Sequence, residues 1–585
     1  MNRRFVARCA AGLAGIWVVI AGVLGASVPA YAHSQLVGAA PGPGQIVPSA
    51  PAAIELRFNE PVTLGPGPVR VLDTEGQRVD TGRAQPAGDG LLVRAPLRTS
   101  TSGGVALANG TYVVVWRATS LDGHPIQGAY TFSVGAPSIS GTAGQALVDR
   151  YLAQSGASTT VGVLAAIGRM LAFLGMALLI GALVAATTWA RRGVPPRAAS
   201  SVIIGGGAIA AVGTVLVFLA QGSYSAGLGF TEMFRGDLLV DTMQTRVGTA
   251  LIVRIALIAG VVAWWRWGRR AVPQRMAVAV MAVFVLALAL SVSFAGHAAT
   301  GPLPGIGVAL DVMHFMLVSL WFGGLVMLAW GVLRTEPIEW SAAQRFSALA
   351  LWCVIGIVLT GSAQGWRQLG SFSALTETAY GQALIVKVMI FACVLPLAAY
   401  ARDYLRRRDN SAEPSDVVAN GVDTDDGETN TETADTGGIA PSVVARKLRR
   451  SIAIEVVFLV GVFGASAVLV NTVPGREALA KPVFVQMVDA KVRIDGAIAP
   501  ATLGPNDVHL LAFTPDGIPY DVNAMTARLE RSDLGSLDIP LRRLTPGHYY
   551  APQFVIPRQG TWNLIVTVDV DAFTRNTQQT KVLIR

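Results

Sequence analysis

Charge is what this 585-residue chain has least of: Asp, Glu, Lys and Arg make up 14% of it, against roughly 25% in an average soluble protein. Hydrophobic residues make up 52%. That deficit excludes an ordinary string of soluble domains and points to the lipid bilayer, where each charge is costly. Cysteine is almost missing too. The three present, Cys9, Cys353 and Cys393, cannot build a disulfide framework, and Cys353 and Cys393 lie in apolar runs where a thiol serves as a small core residue. No P-loop, dinucleotide fingerprint or nucleophile–base triad stands out, so neither ATP-driven transport nor an enzyme is expected. The net charge of +9 does not indicate a nucleic-acid partner. Much of the basic charge lies in short loops between apolar runs, where it sets membrane topology.

The chain begins with Arg3, Arg4 and Arg8, an apolar run from Ala10 to about Val28, and Ala30-Tyr31-Ala32. This is the pattern of a signal peptide with an A-x-A cleavage site, expected over residues 1–32, the alternative being an uncleaved anchor. Cleavage leaves His33 as the N-terminus, with a free α-amine beside its imidazole.

Residues 33–135 read as a small exported β-sandwich or barrel. Ile54-Glu55-Leu56-Arg57-Phe58 alternates, and Pro/Gly clusters such as Pro41-Gly42-Pro43-Gly44 separate the runs. Residues 136–160 read as a small-residue linker. A membrane domain over 161–475 follows, with about eight spans near 161–190, 201–223, 248–268, 274–296, 307–333, 345–366, 383–403 and 451–472. Basic loops after the first, third, fifth and seventh spans all fall on one side, which the positive-inside rule makes cytoplasmic. Both ends of the chain then lie outside. The acidic loop over 410–440, with Asp423, Asp425, Asp426 and Glu428, is expected to be a disordered cytoplasmic linker. Residues 481–585 read as a second exported all-β domain. Its His509, His548, Met487 and Met525 are scattered, and no site is assigned to them. The fold class is thus a polytopic α-helical membrane protein carrying β domains at both ends.

Asp122 and His124 sit in Ser120-Leu121-Asp122-Gly123-His124-Pro125, a turn between strands expected over 112–117 and 129–134. Asp-Gly is a common hairpin dipeptide, and a plain turn is one reading. The other is a metal site: the His33 amine and imidazole add two nitrogens, and a nitrogen-rich set with one carboxylate favours Cu(II). This domain resembles the CopC family of periplasmic copper-binding proteins. The resemblance rests on His33-Ser34-Gln35-Leu36, Leu56-Arg57-Phe58-Asn59-Glu60-Pro61-Val62, Trp116-Arg117-Ala118-Thr119-Ser120-Leu121-Asp122-Gly123-His124-Pro125 and Gly128-Ala129-Tyr130-Thr131-Phe132. It implies that His33, Asp122 and His124 bind Cu(II), with Glu60 orienting a ligand. The family's Met-rich Cu(I) site has no counterpart, because no methionine lies between His33 and Arg169.

In the membrane domain, His297 follows the fourth span, and Asp311 and His314 share a face of the fifth, beside Met313 and Met316. Ionisable residues inside a span are functional candidates, and imidazole with thioether suits copper. The alternative is a structural Asp–His hydrogen bond with lipid-facing methionines. Met170 and Met176 read as packing residues, Arg345 and Lys387 as snorkelling cations, and Gly356, Gly361 and Gly365 as close helix contacts. The stretch resembles the CopD family of copper-transport membrane proteins through Gly296-His297, Asp311, His314, Trp321-Phe322-Gly323-Gly324-Leu325, Arg345-Phe346-Ser347, Gly361, Tyr380-Gly381, Leu384 and Lys387. That resemblance implies copper passage toward the cytoplasm; His297 and His314 are the residues expected to carry the ion, with Asp311, Met313 and Met316 as lesser candidates.

The leading expectation is copper capture outside and import through the inner membrane. Two alternatives stand beside it. One is copper sequestration, or delivery to an exported chaperone or cuproenzyme without transport. The other is a haem-linked copper reductase.

Overall fold

The computed structural model describes residues 36–585 except 59, 88–89, 99–106, 121–122, 140, 155–157, 191–192, 297, 299–303, 411–440, 480–482, 515–519, 546 and 572. The expected leader, His33, Asp122, His297 and most of the acidic loop therefore lie outside the described residues.

The first domain is built from β1 (Leu36–Ala40), β2 (Ile46–Val47), β3 (Ala53–Phe58), β4 (Val69–Leu72), β5 (Gln85–Ala87), β6 (Leu92–Pro96), β7 (Gly110–Thr119) and β8 (Pro125–Val134). They form two four-stranded sheets, ordered β1-β3-β6-β5 and β2-β8-β7-β4. The alternation in β3 works as expected: Ile54, Leu56 and Phe58 point into the core. Phe58 meets Trp116 of the facing sheet edge-on, with ring centroids 5.4 Å apart. Strand β7 is covered on both faces. Val114 and Trp116 enter the sandwich, while Val113 and Val115 pack against Leu147, Val148, Tyr151 and Leu152. Those four residues lie on a helix, Gly141–Gln154, that fills much of the stretch expected to be a linker. Its first turn of Gly, Thr, Ala and Gly disguises it; the apolar residues at helical spacing come only in its second half.

Eight helices are long and apolar enough to cross a membrane: α1 (Thr159–Thr187), α2 (Pro196–Ala226), α3 (Arg246–Arg266), α4 (Gln274–Ser293), α5 (Pro304–Trp330), α6 (Trp340–Leu369), α7 (Ala379–Asn410) and α8 (Pro441–Asn471). Their number and places match the sequence expectation. Helices α1 and α2 touch backbone to backbone: a Cβ on Gly175 would lie 2.2 Å from the Ala210 nitrogen, and one on Gly213 would lie 2.3 Å from that of Ala172. Only glycine permits this approach. Between α2 and α3 the chain makes a short amphipathic helix, Gly236–Gln244. At the far end of α1, Arg345 donates to the Trp189 carbonyl at 3.0 Å, so it ties two spans together rather than only snorkelling.

The last domain contains β9 (Val483–Val488), β10 (Arg493–Ala499), β11 (Gly504–Phe513), β12 (Ala524–Arg531), β13 (Gly535–Ile539), β14 (Arg542–Thr545), β15 (His548–Ile556), β16 (Gly560–Asp569) and β17 (Arg575–Ile584). A five-stranded sheet, β14-β15-β11-β10-β9, and a four-stranded sheet, β13-β12-β16-β17, share these strands. Ile494, Val508 and Leu510 from one and Trp562, Leu564 and Val566 from the other form a common core.

Candidate functional site

Gly123 and His124, in the turn between β7 and β8, do not face open solvent. Strands β7 and β8 are ten residues each and paired along their whole length, which fixes the turn at their tip. Ser120 N–H donates to the His124 carbonyl at 3.0 Å, and Gly123 N–H donates to Ser120 at 2.9 Å. The turn is pressed onto one end of the helical bundle. Gln221 of α2 donates from Nε2 to the Gly123 carbonyl at 2.8 Å. Gly123 has φ +84°, and a Cβ there would lie 2.7 Å from Val247 of α3; glycine is required on both counts. The buried His124 ring meets the Val470 carbonyl, at the end of α8, through Nε2. A carbonyl only accepts, so in the neutral ring Nε2 carries the proton and Nδ1 carries the lone pair a metal would take.

Arg117 of β7 reinforces the docking. It donates to the Ser225 carbonyl at 2.7 Å and the Tyr224 carbonyl at 2.9 Å, at the C-terminal end of α2, where orphan carbonyls welcome a cation. Burial holds its guanidinium below the ordinary arginine value. Glu60 is half-buried on the segment leading to Thr63, which pairs with Thr119 just before the turn. Beside the turn a cavity of about 60 Å³, lined in part by Thr63, Ser120, Gln221, Asp241 and Thr242, has room for a few waters.

The second group lies inside the bundle. His314 of α5 is about 15 Å from the start of its helix at 1.5 Å per residue. Its Nδ1 lies 2.9 Å from Thr360 Oγ1 of α6. The Thr360 hydroxyl proton is given to the Gly356 carbonyl at 2.6 Å, so Thr360 accepts from His314 Nδ1–H. The neutral ring therefore presents its lone pair on Nε2. Gly361 packs against the same ring, where a Cβ would come within 3.2 Å of it. Asp311 accepts from Ser293 of α4 at 2.6 Å and lies within electrostatic reach of Arg367, Tyr380 and Lys387. Lys387 also acts on His314, so it looks inward to this cluster. Met316, Met170 and Met176 pack in the apolar core of the bundle; Met313 is half-buried beside them.

Three further buried ionisable residues escaped the sequence reading: Arg169 of α1, beside Gln221 of α2, Arg254 and Glu455. Arg254 of α3 is buried and donates to the Ser291 carbonyl of α4 at 2.6 Å. Glu455 of α8 is 1% exposed, and its Oε1 has no hydrogen-bond partner among the described residues. The signal was a single charge interrupting an apolar run, which in a span marks a functional candidate.

Comparison with known proteins separates the first domain from the bundle and matches the bundle in two parts. The CopC domain family matches residues 36–135, the N-terminal domain of copper resistance protein D-like proteins matches 158–306, and copper resistance protein D matches 340–469. The copper transport protein CutJ of Bacillus subtilis is 28% identical over 382 residues, covering 63% of this chain and 67% of CutJ. Copper resistance protein C of Xanthomonas campestris pv. juglandis is 34% identical, covering 19% of this chain and 85% of that protein. The crystal structure of PcoC, a methionine-rich copper resistance protein from Escherichia coli, aligns with 32% identity over 17% of this chain and 98% of that one, with a TM-score of 0.15. The chain therefore belongs to the CopC–CopD family of copper resistance and transport proteins, with a CopC domain fused to a CopD membrane domain.

Proposed function

We propose that this protein captures Cu(II) outside the cell membrane through His33, Asp122 and His124, with Glu60 as an orienting carboxylate, and passes copper through the bundle toward the cytoplasm. The observation that carries this reading is the docking of the ligand turn on the bundle, with Gly123 on Gln221 and His124 on the Val470 carbonyl. Storage alone needs no such contact. Within the bundle, Asp311 and His314, helped by His297 at its mouth, are the residues an ion would meet; Met313 and Met316 are weaker donors. The first domain docks at the ends of α2 and α8, opposite the basic loops, and the last domain follows α8 from that same end, which supports an extracytoplasmic place for both.

The test is uptake of isotopic copper by proteoliposomes. His314→Ala should abolish uptake and leave copper binding by the exported domain intact. Equal uptake by wild type and His314→Ala would leave only the storage or delivery reading. The haem-linked reductase fits less well, because Thr360 and Gly361 pack directly on the His314 ring.

A further inference from the structure

Six histidines occur in the chain, and two of them, distant in sequence, stand side by side in the C-terminal domain. His509 of β11 and His548 of β15 are on neighbouring antiparallel strands, in a register that pairs His509 with Tyr550 and Leu511 with His548. Val508, Leu510 and Ala512 fill the core, so the alternate residues Asp507, His509 and Leu511 share the outer face of the sheet. His509 Nδ1 lies 3.1 Å from His548 Nε2. The Tyr550 ring stacks on His509 with centroids 4.5 Å apart. The Tyr550 hydroxyl bonds to Asp507, which also accepts from Gln553 N–H at 2.9 Å.

Three features make this more than a chance pair. Both imidazoles stand on paired strands, whose register sets their spacing. Both are kept neutral, since burial pulls each down to about 4, and a metal ligand must be unprotonated. The spacing also fits. With metal–nitrogen bonds of about 2.0 Å, nitrogens 3.1 Å apart subtend about 100°, close to both a square-planar and a tetrahedral angle. The metal takes the place of the proton now shared by the rings, after a modest rotation of each.

We propose that His509 and His548 form a second exported copper site, two imidazole nitrogens at adjacent positions with water to complete a Cu(II) coordination shell. The site stands on this geometry; the choice of copper rests on the family. It gives the C-terminal domain a task, that of a second holding point on the same side of the membrane as the first.

Copper(II) titration of the full chain in detergent, read by electron paramagnetic resonance, tests it. In a background with His33→Ala and His124→Ala the chain should still hold one copper, with superhyperfine splitting from two imidazole nitrogens. His509→Gln with His548→Gln, added to that background, should remove this copper. Hydrogen exchange of β11 and β15 at the wild-type rate would show the sheet intact; His548→Gln alone, which should abolish the two-nitrogen splitting, is the milder variant if the pair disturbs it. The proposal falls if the chain with His33→Ala and His124→Ala shows no two-nitrogen signal, if the glutamine variants keep it, or if the pair takes zinc but not copper.

Discussion

The Gly123 carbonyl oxygen and the Gln221 side-chain amide, 98 positions apart, are joined by a 2.8 Å hydrogen bond across the junction of the exported domain and the membrane bundle. Both groups are buried, so removing either partner strands the other, at a cost of about 1–3 kcal/mol. Gln221→Leu should therefore loosen the docked turn while leaving the sandwich folded. Copper affinity of the exported domain should be unchanged and proteoliposome uptake reduced. Unchanged uptake would mean that the junction does not pass copper.

A more severe break is expected from Gly123→Val. The residue sits at φ +84° with Val247 2.7 Å from where a Cβ would be. The substitution strains the turn and pushes it off α3 at once. Cross-linking between cysteines introduced at Ser120 and Asp241, which line the same cavity, should be efficient in the parent and lost in Gly123→Val.

Thr360 holds the His314 tautomer. Thr360→Val keeps the shape but removes the acceptor for Nδ1–H, so Nε2 is no longer fixed as the lone-pair nitrogen. Loss of such an orienting partner typically costs 10–100-fold, so uptake should fall by about that factor. Thermal stability in detergent should change little. A Thr360→Ser variant, which retains the hydroxyl, should recover most of the rate; if it does not, the role of Thr360 is packing alone.

Much of this architecture is legible in the sequence, for physical reasons that also mark where legibility stops. The spans announce themselves because about 20 apolar residues in a row have few other uses. β3 reads correctly because its inward residues, Ile54, Leu56 and Phe58, alternate strictly with polar ones. The helix Gly141–Gln154 does not, since its apolar face is short and covers one patch of the sheet, Leu72, Val113, Val115 and Ala129. Thr360 could not be assigned to His314 without knowing how α5 and α6 cross. His509 and His548 looked scattered because their nearness depends on the β11–β15 register, including the irregularity between Asn506 and Val508, which no local pattern encodes. His33, Asp122 and His297 lie outside the described residues and rest on the sequence pattern and the family resemblance.

The metal-free C-terminal sheet should lose stability in mild acid. Burial pulls His509 and His548 from the ordinary 6.5 down to about 4 in the fold, whereas the unfolded chain keeps the ordinary value. Between these limits the unfolded state binds more protons, so stability rises with pH across the window and falls as pH drops from about 6.5 toward 4. The groups facing the pair do not reverse the sign: Asp507 is engaged with Tyr550 and Gln553, and Arg542, opposite Tyr550 on β14, would repel a new positive charge. Hydrogen exchange of β11 and β15 in the full chain should accelerate from pH 7 to pH 5 after correction for the intrinsic rate. His509→Gln with His548→Gln should flatten the response.

Glu455 offers the opposite balance of stability and function. Its carboxyl is 1% exposed in the middle of α8, among Ile452, Leu459 and Phe463 of the bundle core. One oxygen lacks a hydrogen-bond partner among the described residues, and an unsatisfied buried polar atom costs about 1–3 kcal/mol. Glu455→Leu fills the same space with carbon and removes that cost, so the purified protein should melt at a higher temperature. An ionisable group kept at such expense inside a span is a functional candidate, and copper passage is the function proposed above. The same substitution should therefore abolish copper uptake, while Glu455→Asp, which keeps a carboxyl, should retain part of it. A variant that is both more stable and fully active would reduce Glu455 to a tolerated defect in packing.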